Sequence, residues 1–483
     1  MKRPMILCAT VCILLSLFVL QANTTIVTTL ATLSFIALAA LCFFKSTRKY
    51  VIIVAVAFLF LLNTARIKIN YIDKLKVLEK EDFTVNAVIT DVVRKDDYFL
   101  LDLNVTDSKG KLPDNTKLCL THYKEGVSVG NEITAKIRLS GIEDSQYKKS
   151  NYSEGIFAKG YIKEIIHKER GKNIYRRLSD FKNKVTGILF SNASYTHASF
   201  GAALTVGDSS YIENDLYSDV KRSGVSHVIV VSGLHMAIIC GSIHKLLNRV
   251  KFNRQLSAVI TVLFMLFFMA LCGFTASVLR AGLMYGIYML SRIFLKKRDG
   301  LNSLSIAVNI MLISNPFLIW NIGFLLSASA TFGIIVILPK MEEYIDKWVL
   351  NAIFNFFLKT SSVTLSALIT TMPISVYYYG ELSLVSILTN IFISTAISAL
   401  LVFTVIAIVF GLISGGNFFV SMLFNGAEIV SVYIVAVIRF FGNLPFASVP
   451  CNIWVLSAVY ILVIAIFLIL KYTNIIDRKK RSV

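Results

Sequence analysis

Charge is scarce in this sequence: only 16% of its 483 residues are charged, while 55% are hydrophobic. With a mean hydropathy of +0.68, that scarcity excludes a soluble surface over most of the chain and requires a membrane protein. Acidic residues are the scarcer sign, 29 against 49 basic, so the formal net charge is +20. A basic surplus of this kind belongs in loops and interfaces, where it sets topology or attracts a polyanion. A secreted disulfide scaffold is excluded as well. Cys8, Cys12, Cys42, Cys240 and Cys272 lie in apolar runs, leaving Cys119 and Cys451 as extramembrane thiols whose bridging nothing in the sequence supports. No GxxxxGK[ST] phosphate loop is present, so ATP use has no visible site, and no His/Cys/carboxylate cluster marks a metal centre; no cofactor is expected.

What is present is a series of long apolar runs. Met5 to Leu20, Ile26 to Phe44 and Val51 to Ala65 come first, then a polar stretch from Arg66 to about Phe190. Runs recur at Val225 to Leu247, Leu256 to Gly273, Ala276 to Leu295, Leu301 to Ile319, Trp320 to Leu338, Ser361 to Tyr379, Val385 to Ile413, Phe418 to Phe441 and Ile453 to Leu470. That predicts an α-helical polytopic membrane protein of about twelve spans, with the stretch from Glu381 to Ile413 able to hide a re-entrant or broken segment. Lys2 and Arg3, then Lys45, Arg48 and Lys49, then Lys245, Arg249, Lys251 and Arg254, then Lys296, Lys297 and Arg298, and finally Arg478 to Arg481 all fall on one side of the alternation. The positive-inside rule makes that side cytoplasmic, with both termini inside and the polar stretch outside. A cleaved signal peptide at the first segment is the weaker alternative, since no small-x-small site follows Leu20.

The polar stretch reads as a small extracytoplasmic β-barrel. Strands are predicted at Phe83 to Val93, Tyr98 to Thr106, Lys117 to Tyr123, Glu132 to Ser140 and Phe157 to Ile166, a count that suits an OB-like fold. Phe83, Tyr98, Phe99 and Tyr161 are better read as core or strand-pairing residues than as base-stacking platforms. Beyond the barrel, Ile174, Tyr175, Leu178, Phe181, Val185, Ile188 and Leu189 recur at helical spacing, with Lys172, Arg176, Arg177, Lys182 and Lys184 opposite. This predicts a basic amphipathic helix on the membrane surface, either binding lipid headgroups or guiding a phosphate backbone toward a pore. The domain boundaries that follow are 1–66 for the first helices, 67–170 for the barrel, 171–191 for the basic helix, 192–472 for a channel domain and 473–483 for a basic tail.

Residues 200–241 carry most of the functional signal. Gly207-Asp208 precedes Ser210 and Glu213, a plausible capping box for a helix ending at Gly224 with Lys221 and Arg222 in its last turn. Then His227-Val-Ile-Val-Val-Ser232-Gly233-Leu234-His235 puts two histidines and a Ser-Gly break in one apolar run. Ionisable groups there are costly and face cavities or partner helices. Gly233, Ala237 and Gly241 also form a small-residue ridge suited to close helix contact. Metal binding ranks low because His227 and His235 are not at ligand spacing, and a Ser232/His235 nucleophile lacks a GxSxG elbow and a third member. Arg280 lies about a turn inside its run, beside small residues. Its fork suits phosphate; the competing explanation is a structural salt bridge to Asp208, Glu381 or Glu428.

The Gly207-Asp208 pair and His227-Val-Ile-Val-Val-Ser232-Gly233-Leu234-His235 closely resemble the "GD … HLLAVSGLH" signature of the ComEC-type competence proteins, inner-membrane channels for DNA uptake. Ser277-Val-Leu-Arg280-Ala281, Gly323-Phe324-Leu-Leu-Ser327 after Asn315-Pro316, Thr371-Met-Pro373, Tyr379-Gly380-Glu381-Leu-Ser383 and Asn390 support the likeness in the right order. The resemblance implies passage of one DNA strand to the cytosol, with Asp208, His227, Ser232, Gly233, His235 and Arg280 lining the path or holding helices around it. It also implies an external DNA-receptor protein, a cytosolic ATP-driven translocase and a separate nuclease. Many family members end in a metallo-β-lactamase-like domain, whereas this sequence stops at Val483 without an HxHxDH-type cluster, so no enzyme activity is expected of it. The family's Asn-Pro-Gly stretch after the barrel reads Asn151-Tyr-Ser-Glu-Gly155 here, and the external domain holds no cysteine pair. Other classes the sequence allows are a secondary transporter of a smaller anion and a membrane-embedded serine hydrolase.

Overall fold

The computed structural model describes residues 4–19, 21–43, 50–79, 81–95, 97–124, 126–140, 145–294, 299–347, 351–415, 418–458 and 460. The expected cytoplasmic clusters at Lys2-Arg3, Lys45 to Lys49 and Lys296 to Arg298, the basic tail and most of the Ile453 to Leu470 run lie outside them.

Three apolar helices open the chain: α1 (Pro4–Val19), α2 (Thr24–Phe43) and α3 (Val51–Ile67). The third does not stop at the end of its apolar run. It passes through a π-turn (Lys68–Asp73) into α4 (Lys74–Val77) as one rod. The reason is a clamp on the α1–α2 turn. Buried Lys68 donates to the carbonyls of Val19, at 2.9 Å, and Ala22, satisfying the end of α1, while Thr24 donates to Asp73 at 2.8 Å.

The polar stretch folds as a closed five-stranded barrel of β1 (Asp82–Arg94), β2 (Phe99–Asp107), β3 (Lys117–His122), β4 (Asn131–Ser140) and β5 (Ile156–Arg170), in the order β1-β2-β3-β5-β4. All neighbours are antiparallel except β3 and β5. Strict alternation drives closure: Phe83, Val85, Ala87 and Ile89 of β1 face Leu101, Leu103, Leu118, Leu120, Ile133 and Ile137 in one dry core. Phe83 is core as expected, and Tyr98 pairs with Tyr123 across the barrel wall.

The short helix α5 (Ser145–Ser153), between β4 and β5, seats the barrel on the helices. Tyr152, Phe157 and Phe317 meet edge to face, and Asn315 donates to the carbonyls of Tyr152 and Ser153 at 3.2 and 3.0 Å. A second joint lies at α6 (Ile174–Asn192), whose cap Asn173 accepts from Arg176 N–H and donates to Gly130 O. Gly130, at φ +82°, leaves no room for a side chain: a Cβ there would lie 2.5 Å from Arg176 Cβ.

The amphipathic period of α6 is as expected, but its apolar face is not left for lipid. Val185 and Leu189 are buried against Ala198, Ala202, Ala407 and Phe424, because a protein groove offers those side chains closer contact than a bilayer surface. Nor is its basic face uniformly open. Arg176 is tied to Asp180 at 3.1 Å and to Ser128 at 3.2 Å, whereas Lys172, Arg177 and Lys184 are exposed and Lys182 is half-buried.

The remainder is a helical bundle of α7 (Tyr195–Thr205), α8 (Asn214–Arg222), α9 (Gly233–Arg249), α10 (Arg254–Leu271), α11 (Ala276–Ile293), α12 (Gly300–Ser314), α13 (Ile322–Val336), α14 (Leu338–Ile345), α15 (Ala352–Tyr379), α16 (Ser386–Ser414) and α17 (Phe418–Gly442). A two-stranded clip joins β6 (Glu381–Ser383) to β7 (Ser448–Pro450). Among the described residues six helical stretches are long and apolar enough to cross a membrane, and three shorter apolar helices accompany them. The chain is a multi-pass membrane protein.

Three local expectations change. The Glu381 to Ile413 stretch holds no re-entrant break: α16 runs unbroken from Ser386 to Ser414, with no proline and no glycine before Gly411 to interrupt it. Breaks occur instead before α9 and between α12 and α13, where Asn315 and Asn321 cap a single 3-10 turn (Pro316–Trp320). The Ser210/Glu213 capping box does not form, because Ser210 gives its hydroxyl to Asp208 at 2.6 Å. The helix does end at Gly224, at φ +75°, with Lys221 and Arg222 in its last turn.

Candidate functional site: a broken helix and a buried arginine

The run from Val225 to Leu247 is not one helix. A 3-10 turn (Ser226–Val228) is followed by extended backbone at Ser232, and only at Gly233 does α9 begin. Ser232 and His235 form a capping box across this break, in which the Ser232 backbone N–H donates to His235 Nδ1 at 3.1 Å. His235 is thus committed to the helix start. Its Nδ1 accepts from backbone, so the pair does not present the hydroxyl-to-imidazole hydrogen bond that an activated serine uses. The first N–H groups of α9 and the positive end of its dipole lie where His235 and Met236 are buried, an arrangement like the one discontinuous transport helices use toward anions.

Arg280 stands beside that start. A Cβ on Gly233 would lie 3.2 Å from its Nη2, so the guanidinium packs closely on the helix start and would have to shift for a side chain there. Arg280 is 7% exposed, donates from Nε to Ser327 Oγ at 2.8 Å and from Nη1 to Met284 Sδ at 3.4 Å. Three motifs separated in sequence, around Gly233, Arg280 and Ser327, therefore meet at one point. The salt-bridge explanation is not realised: among the described residues no carboxylate lies within ion-pair distance of Arg280. Asp208 is held by Ser210, Glu381 lies 4.0 Å from Lys221, and Glu428 sits on α17 near His197.

The other expected residues lie around this centre, not in it. Gly207 packs on the α10–α11 turn, where a Cβ would lie 3.2 Å from Cys272 Cα, and that contact fixes Asp208 at the turn. His227 reaches the side chain of Asn390, which donates to Thr364 at 2.6 Å. Gly224 meets Ser383 and Ser386, while Ser383 donates to the Arg222 carbonyl at 2.9 Å, so the Glu-Leu-Ser element braces the segment that leads to the break. The basic residues of α6 belong to the barrel joint and the outer surface.

Sequence reading missed a second polar centre between the far ends of α9 and α11. There Arg292 donates to His244 Nε2 at 3.0 Å, and a cavity of about 390 Å³ opens beside them. It also missed His197, fully buried on α7 against Phe424 with no hydrogen-bond partner on either ring nitrogen among the described residues. Among those residues no group of three or more His, Cys, Asp or Glu side chains could hold a metal ion.

The barrel's titrating groups divide by environment. Lys163 and Arg138 hold the Asp82 carboxyl below the usual carboxylate range, Lys163 by a direct hydrogen bond. Burial raises Asp102 and Glu154 above it, and pushes the Cys119 thiol beside Asp102 up to about 12. Cys119 and Cys451 are free thiols.

A polytopic bundle with a broken helix and, among the described residues, a buried arginine without a carboxylate partner at the break defines the class: a multi-pass membrane protein. The family is then specific. Residues 204–474 match the competence protein family, and the chain belongs to it. It is also 27% identical over 218 residues to ComE operon protein 3 of Bacillus subtilis (strain 168), covering 44% of this chain. The aligned region spans 27% of that relative's length. No solved structure matches.

Proposed function

We propose that the chain conducts a single DNA strand across the cytoplasmic membrane during natural transformation, with its barrel, an OB-like module, on the outer side. The observation that carries this reading is Arg280, a buried guanidinium at the start of a broken helix, held by a hydroxyl and a thioether instead of a carboxylate. A cation in such a place is costly without a counter-anion, and a phosphate that passes through supplies one transiently. A permanent carboxylate would cancel the charge. One strand carries a charge per nucleotide, so its route needs a wet, polar path with few fixed cations, or the strand would be trapped.

The barrel docks on the turn that starts α13, and α13 carries Ser327, so the barrel and Arg280 lie toward the same end of the bundle. With the barrel outside, the strand meets Arg280 before it reaches the far ends of α9 and α11. Force for inward movement comes from a cytosolic ATP-driven partner; an external receptor delivers DNA, and a separate nuclease removes the other strand. The membership in the competence family supports these assignments.

The test is uptake of labelled DNA into a nuclease-protected cytosolic pool. Arg280→Gln is expected to abolish that pool while leaving surface-bound DNA intact, and normal uptake would overturn the reading. The same buried arginine suits a smaller anion too. Saturable phosphate transport by the purified chain in liposomes, with no DNA uptake defect in Arg280→Gln cells, favours a secondary transporter instead.

A further inference from the structure

The cavity at the far ends of α9 and α11 has two kinds of wall. One is cationic: Lys245 and Arg292 line it, and His244 stands between α9 and α11. The other is aromatic: Tyr285 and Tyr288, one helical turn apart on α11, have ring centroids 5.6 Å from each other. Ala237 and Gly241 complete the lining, and a Cβ on Gly241 would meet nothing within 4 Å, so the wall on α9 is open where a planar group would enter.

The cationic wall is built. Arg292 donates to His244 Nε2 at 3.0 Å, which leaves the imidazole proton on Nδ1, 3.4 Å from Thr261 Oγ1. Thr261 passes its own proton to the Ser257 carbonyl at 2.7 Å. His244 is 6% exposed, and this chain across α9, α10 and α11 fixes the Arg292 guanidinium beside the cavity. His244 is a positioning residue.

Phosphate alone would need only the cations, and a lipid headgroup offers no ring to the tyrosines. Cations and two aromatic rings, tilted 46° to each other, in one cavity of about 390 Å³ match a nucleotide of a single strand, whose phosphate and base need both. We propose that this cavity is an exit subsite that holds one nucleotide of the translocating strand, its phosphate on Arg292 and Lys245 and its base against Tyr285 and Tyr288. The inference rests on the uptake reading above. Both α9 and α11 run from the Gly233–Arg280 contact along this cavity, whose lining begins at Ala237 and Tyr285 and ends at Lys245 and Arg292, about 18 Å along the helices at 1.5 Å per residue. The strand then has two holding points, and release from one is coupled to capture at the other.

The experiment uses the full chain in phosphatidylcholine nanodiscs with a single-stranded oligothymidylate carrying 5-bromodeoxyuridine. Photo-crosslinks are expected at Tyr285 or Tyr288. Tyr288→Leu should weaken binding about tenfold, whereas Tyr288→Phe, which keeps the ring, should not. Arg292→Gln should reduce the slope of log affinity against log salt by about 0.7, the loss of one phosphate contact. Crosslinks only at other residues, with affinity unchanged in Tyr288→Leu and Arg292→Gln, overturn the exit subsite and leave the uptake reading standing. Normal uptake by Arg280→Gln cells, by contrast, overturns that reading. A repeat in nanodiscs containing phosphatidylglycerol separates the lipid source: a headgroup that occupies the cavity and blocks crosslinking makes it a lipid site and overturns the inference.

Discussion

The barrel and the bundle treat charge in opposite ways. On the barrel Asp82 takes both Arg138 and Lys163, Lys111 reaches Glu81 at 3.1 Å, and an apolar cluster fills the centre. In the bundle Arg280 is nearly buried yet, among the described residues, has only Ser327 and Met284 within hydrogen-bond distance. Water around the barrel makes exposed pairs cheap to form and of little consequence, while the same neutralisation within the membrane would remove a charge that the interior has few of. On the proposed reading, the difference separates a scaffold, whose exposed charges are paired, from a pathway, where one charge is left for a passing ligand.

The strongest way to break that contrast is to give the bundle what the barrel has. Ser327→Asp places a carboxylate on Arg280; DNA uptake is expected to fall at least about 100-fold, as with Arg280→Gln, while thermal stability in detergent is retained or raised. Uptake assays and unfolding curves on the same variant read both halves. Gly233→Leu should do nearly as much damage, because its side chain enters the space 3.2 Å from the Arg280 guanidinium; folded protein with uptake below a tenth of the wild type is the expected outcome.

On the barrel side the largest effect belongs to a joint, not to a charge. Gly130→Ala forces a Cβ against the Arg176 backbone at φ +82° and is expected to destabilise the barrel–α6 junction by about 1–3 kcal/mol, seen as faster hydrogen exchange in β4 and the first turn of α6. Asn173→Ala removes the α6 cap and its contact to Gly130, for about 1 kcal/mol by the same measurement.

The smallest effect is on pH dependence, and its sign separates two carboxylates. Asp82 is held below its ordinary range, so its contribution is present above that range and is lost as pH falls through the depressed value. Asp102 is raised, so the folded barrel binds its proton more tightly, and stability declines as pH rises from the ordinary carboxylate range through the raised value. Asp102→Asn should flatten that decline in melting temperature, and Asp82→Asn should flatten only the acid limb.

The barrel was legible in the sequence because every second residue of its strands is apolar, and turns separate them; the predicted and observed strands differ mainly at β5, which runs on to Arg170. The break before α9 was harder. Val228 to Val231 is as apolar as any helix interior, and only Ser232-Gly233 marks where the backbone changes. The partnership of Gly233, Arg280 and Ser327 could be suspected from the motifs but not seen, since nothing local tells an arginine which helix it faces. The His244–Arg292 centre was invisible for the same reason, its members being 48 residues apart and each resembling an ordinary basic residue near a helix end. Arg176 misled in the other direction: its spacing places it on the charged face of α6, while its side chain is shared between Asp180 on that helix and Ser128 of the barrel.

The turn between α12 and α13 has a mechanical meaning. Its Asn315 and Asn321 grip α5 of the barrel through Tyr152 and Ser153, and Asn321 also caps the helix whose next turns carry Ser327 onto Arg280. The turn is a fulcrum and α13 a short stiff lever. Because one turn anchors both, a displacement of the barrel on the bundle is felt at Ser327 and at its 2.8 Å hydrogen bond to Arg280.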